Sequence, residues 1–180
     1  MNEKNIYQKF LDGNIRAFEE IVYTYKNGLI AFITRYVKDI EVAEDISQEV
    51  FTDIYINKEK YNFKFSLKTY LYAIGKNKAI DYLKKNKCHE TIENLVIANE
   101  KNTEDEILLY ESNLHVVNTL KKLKKNYEIA IYLADIEKLS YKEIAKITNS
   151  TMPQVKVTIY RARKALKKIM EKEEYFNAYR

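Results

Sequence analysis

Only three glycines and one proline punctuate the 180 residues of this chain. These two residues make most sharp turns, because glycine accepts left-handed backbone and proline fixes its own φ. A chain so short of them cannot build the many tight hairpins of a β-sandwich or barrel, and long helices with few turns remain. The expected class is all-α.

The apolar pattern agrees. From Asn14 the positions Ala17, Phe18, Ile21, Val22, Tyr25, Leu29, Phe32, Ile33 and Tyr36 recur at three and four, which predicts one long amphipathic helix with Asn14 as N-cap. A short helix over Lys4 to Leu11 precedes it. In "DIEVAEDISQEVFTDIYI" the residues Ala43, Ile46, Val50 and Ile54 share one face. Glu41, Glu44, Asp45, Gln48, Glu49 and Asp53 share the other, giving a helix apolar within and acidic without. "NKEKYNFKF" breaks the pattern. Ser66 then caps a third long helix whose expected buried stripe is Leu67, Leu71, Ile74, Ile80 and Leu83. From Ser66 to Lys87 six lysines stand against one aspartate, interleaved with tyrosines.

The sign then reverses. Between Asn86 and Glu106 two lysines face six carboxylates, and no helical stripe is sustained until Thr103 and Glu106 match a capping box. The expected organisation is a first helical domain over 1–87, an acidic linker over 88–103 and a second helical domain over 104–180. In the second, Ile107, Leu108, Val116, Val117, Leu120 and Leu123 predict one helix, and Tyr127 to Ile136 another.

The last stretch, "LSYKEIAKITNSTMPQVKVTIYRARKALKKIM", contains two capping boxes, Ser140 with Glu143 and Thr151 with Gln154. Pro153 falls in the first turn, where its missing N–H costs nothing. Two helices separated by a few residues have helix-turn-helix spacing. In such a motif the start of the second helix enters the major groove. Gln154, Lys156 and Thr158 are therefore candidates for base edges, and Arg161, Arg163 and Lys164 for phosphates. A helix pair closing a bundle with a solvated basic face would show the same pattern.

Other chemistries find little material. Cys88 is the single cysteine, so no intramolecular disulfide can form, and no spacing suggests a metal site. The adjacent Cys88 and His89 lack a third group, His115 is isolated, and there is no glycine-rich phosphate loop. No enzyme activity, cofactor or metal is expected. No apolar run has membrane-spanning length and the N-terminus lacks a secretory pattern, so a cytoplasmic protein without membrane insertion is expected. The net charge of +5 fits nucleic acid as a partner of the basic segments.

Three segments, in order, carry a resemblance. "LSYKEIAKITNSTMPQVKVTIYRARKAL", through Leu139-Ser140, Glu143-Ile144-Ala145, Val155-Lys156 and Arg161-Ala162-Arg163, resembles the DNA-reading helix-turn-helix of sigma-70 family RNA polymerase sigma factors, above all the extracytoplasmic-function (ECF) group or the related toxin-gene sigma subgroup. "AEDISQEVF" resembles the family helix that docks on a coiled coil of core polymerase. "FSLKTYLYAIGKNKAIDYLKK" resembles the helix that captures the −10 promoter element.

The resemblance implies a sigma factor that binds the clamp coiled coil and flap of RNA polymerase core and gives it promoter choice. A free-standing helix-turn-helix regulator is the alternative. Asp45, Gln48 and Glu49 would pair with clamp arginines. Single-stranded DNA needs cations along its backbone and aromatic faces for its bases. Lys68, Lys76, Lys84 and Lys85 would supply the first, with Lys78 beside them, and Tyr72 or Tyr70 the second; Asn77 lies on the same helix. The preceding loop, Tyr61, Asn62, Phe63 and Lys64 with Phe65, would receive an everted base, although aromatics here could equally close the core. The −35 duplex would meet Gln154, Lys156, Thr158, Arg161, Arg163 and Lys164. An anti-sigma factor is a further implied partner. The sequence departs from the family's habit at Tyr70, usually Trp, and at Thr158 and Glu128, often Arg.

Overall fold

The computed structural model describes residues 3–89, 119–120 and 122–178, with side chains through Asn86 in the first part and Lys172 in the second. All regular structure among the described residues is helical. It falls into two compact units, one ending with the helix that holds residue 89 and one beginning at residue 119.

In the N-terminal unit α1 (Glu3–Leu11) buries Ile6, Tyr7 and Phe10. Gly13, at φ +91°, turns the chain into α2 (Ile15–Val37), and the Asn14 side chain accepts the Ala17 N–H as expected of an N-cap. Lys38 ends α2 in the left-handed region, its N–H returning to the Thr34 carbonyl. Asp39 at once caps α3 (Ile40–Ile56) through the Val42 N–H. A short 3₁₀ turn over Lys58–Lys60 leads to a loop, and Ser66 accepts the Thr69 N–H at the start of α4 (Leu67–His89). α2 is the central helix and packs on α1, α3 and α4.

The buried stripe of α4 differs from the expected one. Leu67 and Leu71 face inward, but their neighbours in the core are Thr69, Tyr72, Gly75 and Ala79, while Ile74, Ile80 and Leu83 are only half-buried. The reason is the closeness of α2. A methyl group on Gly75 would lie 3.0 Å from Leu29 Cδ1 and 3.2 Å from Ile33 Cδ1, so only small side chains fit that line of contact. The large apolar residues are displaced to its flanks.

In the C-terminal unit α5 (Lys125–Ile131) passes directly into a π-helical turn over Tyr132–Ile136. Two helices follow, α6 (Tyr141–Thr148) and α7 (Met152–Ala178). Leu120, Leu123, Ile131 and Ala162 form a core against which Tyr127, Leu166 and Ile169 pack. The capping box of Ser140 and Glu143 is present in full, and Thr151 with Gln154 forms the second. Asn149, left-handed at φ 56°, makes the turn between them. The helix expected near Ile107 and most of the acidic linker lie outside the described residues; α4 extends to His89, two residues past the expected end of the first domain.

Candidate functional site

Three surfaces hold the residues singled out by the sequence. The first is the outer face of α3. Burial of Ala43, Ile46, Ser47, Val50 and Ile54 turns Asp45, Gln48 and Glu49 into solvent. With Thr52 and Asp53 they line a shallow recess of about 640 Å³. Its other wall is Lys78 of α4, whose Nζ lies 3.0 Å from Glu49 Oε2. The pair ties a carboxylate of the acidic face to a lysine of the basic helix, across 29 residues, and periodicity offered no signal for it.

The second surface is the loop before α4 and the helix it opens. Asn62 and Lys64 are exposed, and the Asn62 side chain accepts the Lys64 N–H. Phe63 is left-handed at φ 57°, a costly position for a side chain of that bulk. Tyr61 is only 6% exposed: its hydroxyl donates to the Phe65 carbonyl at 2.8 Å, and its ring meets Tyr7 (centroids 4.6 Å), Phe63 (4.7 Å) and Tyr70 (5.1 Å). Burial, then the Glu3 charge, pushes its hydroxyl up to about 12.

On α4, Asn77, Lys84 and Lys85 stand in water, with Lys84 near Asp81 at 3.5 Å. Lys68 and Lys76 are half-buried, and burial followed by the Lys84 charge lowers Lys76 below the ordinary lysine value. Tyr72, read from sequence as a face for a base, is 0% exposed and stacks flat on Phe32 with centroids 4.6 Å apart. It fills the core and offers no face to a strand. Tyr70 is half-buried, its ring 5.1 Å from that of Tyr61.

The third surface is α7. Val155, Ile159 and Ala162 face inward. Lys156, Arg161 and Lys164 are exposed, and Thr158 is half-buried. Gln154 is exposed but committed: its Oε1 accepts both the Thr151 N–H (2.8 Å) and the Thr151 hydroxyl (3.0 Å). Arg163 is committed as well. Its guanidinium forks onto the Asp135 carboxylate, with Nε 3.2 Å from Oδ2, and this bonding raises it above the ordinary arginine value. Asp135 stands in the π-helical turn, whose extra residue per turn shifts the side chains that follow it. Between the exposed cations, Tyr160 is 68% and Val157 47% exposed, so the outer face of α7 also presents apolar groups. Glu128, at a family arginine position, is buried in α5.

Among the described residues no three His, Cys, Asp or Glu side chains converge as a metal site, and no helix is long and apolar enough to cross a membrane.

Comparison with known proteins fits this arrangement. The Sigma-70 region 2 family model matches residues 21–88, and the Sigma-70 region 4 model matches residues 115–166. The ECF RNA polymerase sigma factor SigW of Bacillus subtilis is 30% identical over 168 residues, which cover 87% of this chain and 90% of that one. The chain is an ECF sigma factor of the sigma-70 family. Two solved structures share the sigma factor's fold. CnrH, determined in complex with the cytosolic domain of CnrY, has a TM-score of 0.68 and 20% identity, covering 94% of this chain and 97% of that one. RpoE of Bartonella quintana, determined with the anti-sigma factor NepR, has a TM-score of 0.66 and 19% identity, covering 86% of this chain and 96% of that one. Of the surfaces above, α3 and α4 fall within the region 2 match. So does the loop between them, whereas α1 precedes it.

Proposed function

We propose that this sigma factor directs promoter-specific initiation through three faces: α3 on core polymerase, the 61–66 loop with α4 on the −10 element, and α7 on the −35 duplex. The domains are proposed to divide as 1–87, 88–103 and 104–180, and the protein to act as an initiation factor without covalent chemistry of its own. The observation that carries the reading is the outer face of α3. Asp45, Gln48 and Glu49 are exposed, Glu49 paired with Lys78, in a helix whose opposite side is closed by core residues. A regulator acting on DNA alone has no use for such a face, whereas a cationic coiled coil gains orientation and association rate from it.

On the −10 side the contacts are proposed to come from Asn62, Phe63 and Lys64 in the loop and from Lys68, Lys76, Asn77, Lys84 and Lys85 on α4. Tyr61 acts from beneath the loop, and of the two stacking candidates Tyr70 is proposed for the role, Tyr72 being in the core. On the −35 side Lys156 and Thr158 are proposed to meet bases, with the free amide group of Gln154, and Arg161 and Lys164 to meet phosphates. Exposed Val157 and Tyr160 suit the methyl groups of thymine. Arg163 supports α7 from behind. An anti-sigma factor is a further proposed partner, supported by the apolar furrow between α2 and α3 lined by Ile15, Phe18, Val22, Phe51 and Tyr55.

Run-off transcription with purified core polymerase over a library of AT-rich promoters tests the whole reading. Specific initiation that depends on this protein, and that falls with Asp45→Lys and Glu49→Lys, is the expected result. A protein that never co-elutes with core and never starts a transcript would overturn it.

A further inference from the structure

The helix that precedes the region 2 match sends several of its polar groups toward the 61–66 loop. Glu3 stands in the first turn of α1, and its two carboxylate oxygens go to different elements. Oε1 accepts the Tyr25 hydroxyl of α2 at 2.6 Å, and Oε2 accepts the N–H of Leu67, the first residue of α4, at 3.2 Å. That amide is one of the orphan donors of a helix start, so a carboxylate on it fixes where α4 begins. One turn on, the Tyr7 hydroxyl donates to the Lys58 carbonyl at 2.9 Å, in the 3₁₀ turn before the loop. Lys58 returns the contact, its Nζ donating to the Leu11 carbonyl at the end of α1 at 2.8 Å. The Tyr7 ring, fully buried, lies under the loop itself, edge-on to Tyr61 at 4.6 Å and to Phe63 at 5.7 Å.

The loop of residues 61–66 is therefore held at its entry through Lys58, at its exit through Leu67, and from below through Tyr61 and Phe63, each time by α1. Burying Ile6 and Phe10 would seat α1 on α2 without any of these bonds. They also explain how Phe63 keeps its left-handed backbone: strain of that kind persists where surrounding contacts over-determine the residue. We propose that α1 is a positioning element for −10 recognition, in which Glu3 and Tyr7 hold the 61–66 loop so that Asn62 and Lys64 are presented to a single strand. The inference rests on the −10 reading given above and adds to it a segment that has had no role.

The test uses the full chain assembled on core polymerase and a fluorescein-labelled single-stranded DNA carrying the −10 sequence preferred in the run-off library. Glu3→Ala is expected to weaken binding of that strand about tenfold, the size of one hydrogen bond to a charged group. It should also flatten discrimination between −10 base variants while leaving core affinity as it was. Glu3→Gln, which still offers an oxygen to Leu67 N–H, should recover most of the loss. Tyr7→Phe, which removes only the bond to Lys58, should show the same selective defect at smaller size. Unchanged strand affinity and discrimination in Glu3→Ala would overturn the proposal. So would equal losses of strand and core affinity, which mark a general defect of the fold. Should Glu3→Ala fail to fold, Tyr7→Phe decides by the same two outcomes. A wild-type holoenzyme that ignores the −10 strand would instead sink the −10 reading itself.

Discussion

In the N-terminal unit the 61–66 loop is fixed from inside, by rings: Tyr7, Tyr61, Phe63 and Tyr70 touch in a chain beneath it, and Tyr72 on Phe32 anchors the helix it opens. In the C-terminal unit the helix pair α6 and α7 is fixed at its helix starts and on one flank, by the Ser140 cap on α6, the Thr151 cap on α7 and the Arg163–Asp135 pair. A loop has no repeating backbone hydrogen bonds to stiffen it, so something must pack against it. A helix is stiff already and needs only its start and its angle set. The difference teaches where substitutions should hurt: core mutations in the first unit damage presentation of the site, while in the second the site can be altered on its surface with the fold intact.

Alkali should separate the units most. Burial holds the hydroxyls of Tyr7, Tyr25 and Tyr61 above the ordinary tyrosine value of 10, Tyr61 at about 12. A raised value means that the folded state keeps the proton, so the stabilisation is complete below pH 10 and is lost as pH climbs through 12. Tyrosinate absorbance followed together with helical circular dichroism should show a late group of tyrosines ionising as the N-terminal helices melt. Ionisation of every tyrosine near pH 10 with helicity intact would break the comparison.

Tyr72→Ala comes next, at about 3–5 kcal/mol in urea unfolding of the first transition, as for a large aromatic removed from a core. Gly75→Ala sets overpacking on Leu29 and Ile33 against about 0.5–1 kcal/mol of regained helix propensity, and a net loss of stability is expected. Neutral behaviour there would mean that α4 and α2 are free to part. In the second unit Ser140→Ala should cost about 1 kcal/mol, the usual worth of an N-cap. Smallest is the Arg163–Asp135 pair. Both partners are partly exposed, so a double-mutant cycle should give about 0.2–1 kcal/mol of coupling. The salt dependence of −35 binding sharpens the assignment further. Arg161→Ala should lower its slope by about one, as loss of a phosphate contact does, and Arg163→Ala should leave it nearly unchanged.

How much of this was legible follows the same division. The order of the described helices, the N-caps at Asn14 and Ser66 and the capping boxes of α6 and α7 were readable, because each is written in residues three or four apart. The acidic face of α3 was readable for the same reason. The inner face of α4 was not: apolar periodicity favours large residues, and here Gly75 makes the close approach to α2, with Ala79 and Tyr72 buried along the same face. Aromatics at 61–72 could be read as core or as surface, and only packing distinguishes Tyr72 from Tyr70. Glu3 on Leu67, Lys78 on Glu49 and Asp135 on Arg163 join residues 64, 29 and 28 positions apart, beyond the reach of any local pattern.

The left-handed residues carry one more consequence. Among the described residues Lys38, Phe63, Lys138 and Asn149 adopt a conformation that glycine takes without cost. For an engineer, Lys38 and Lys138 are reserves of thermal tolerance. Each sits at the end of a helical segment, away from the three proposed faces, and a glycine there should relieve strain of about 1 kcal/mol while the side chains of those faces stay in place. Phe63 is the opposite case. Its strain cannot be relieved by glycine without removing the ring that Tyr7 and Tyr61 hold, so in that loop heat resistance and promoter choice would have to be traded against each other.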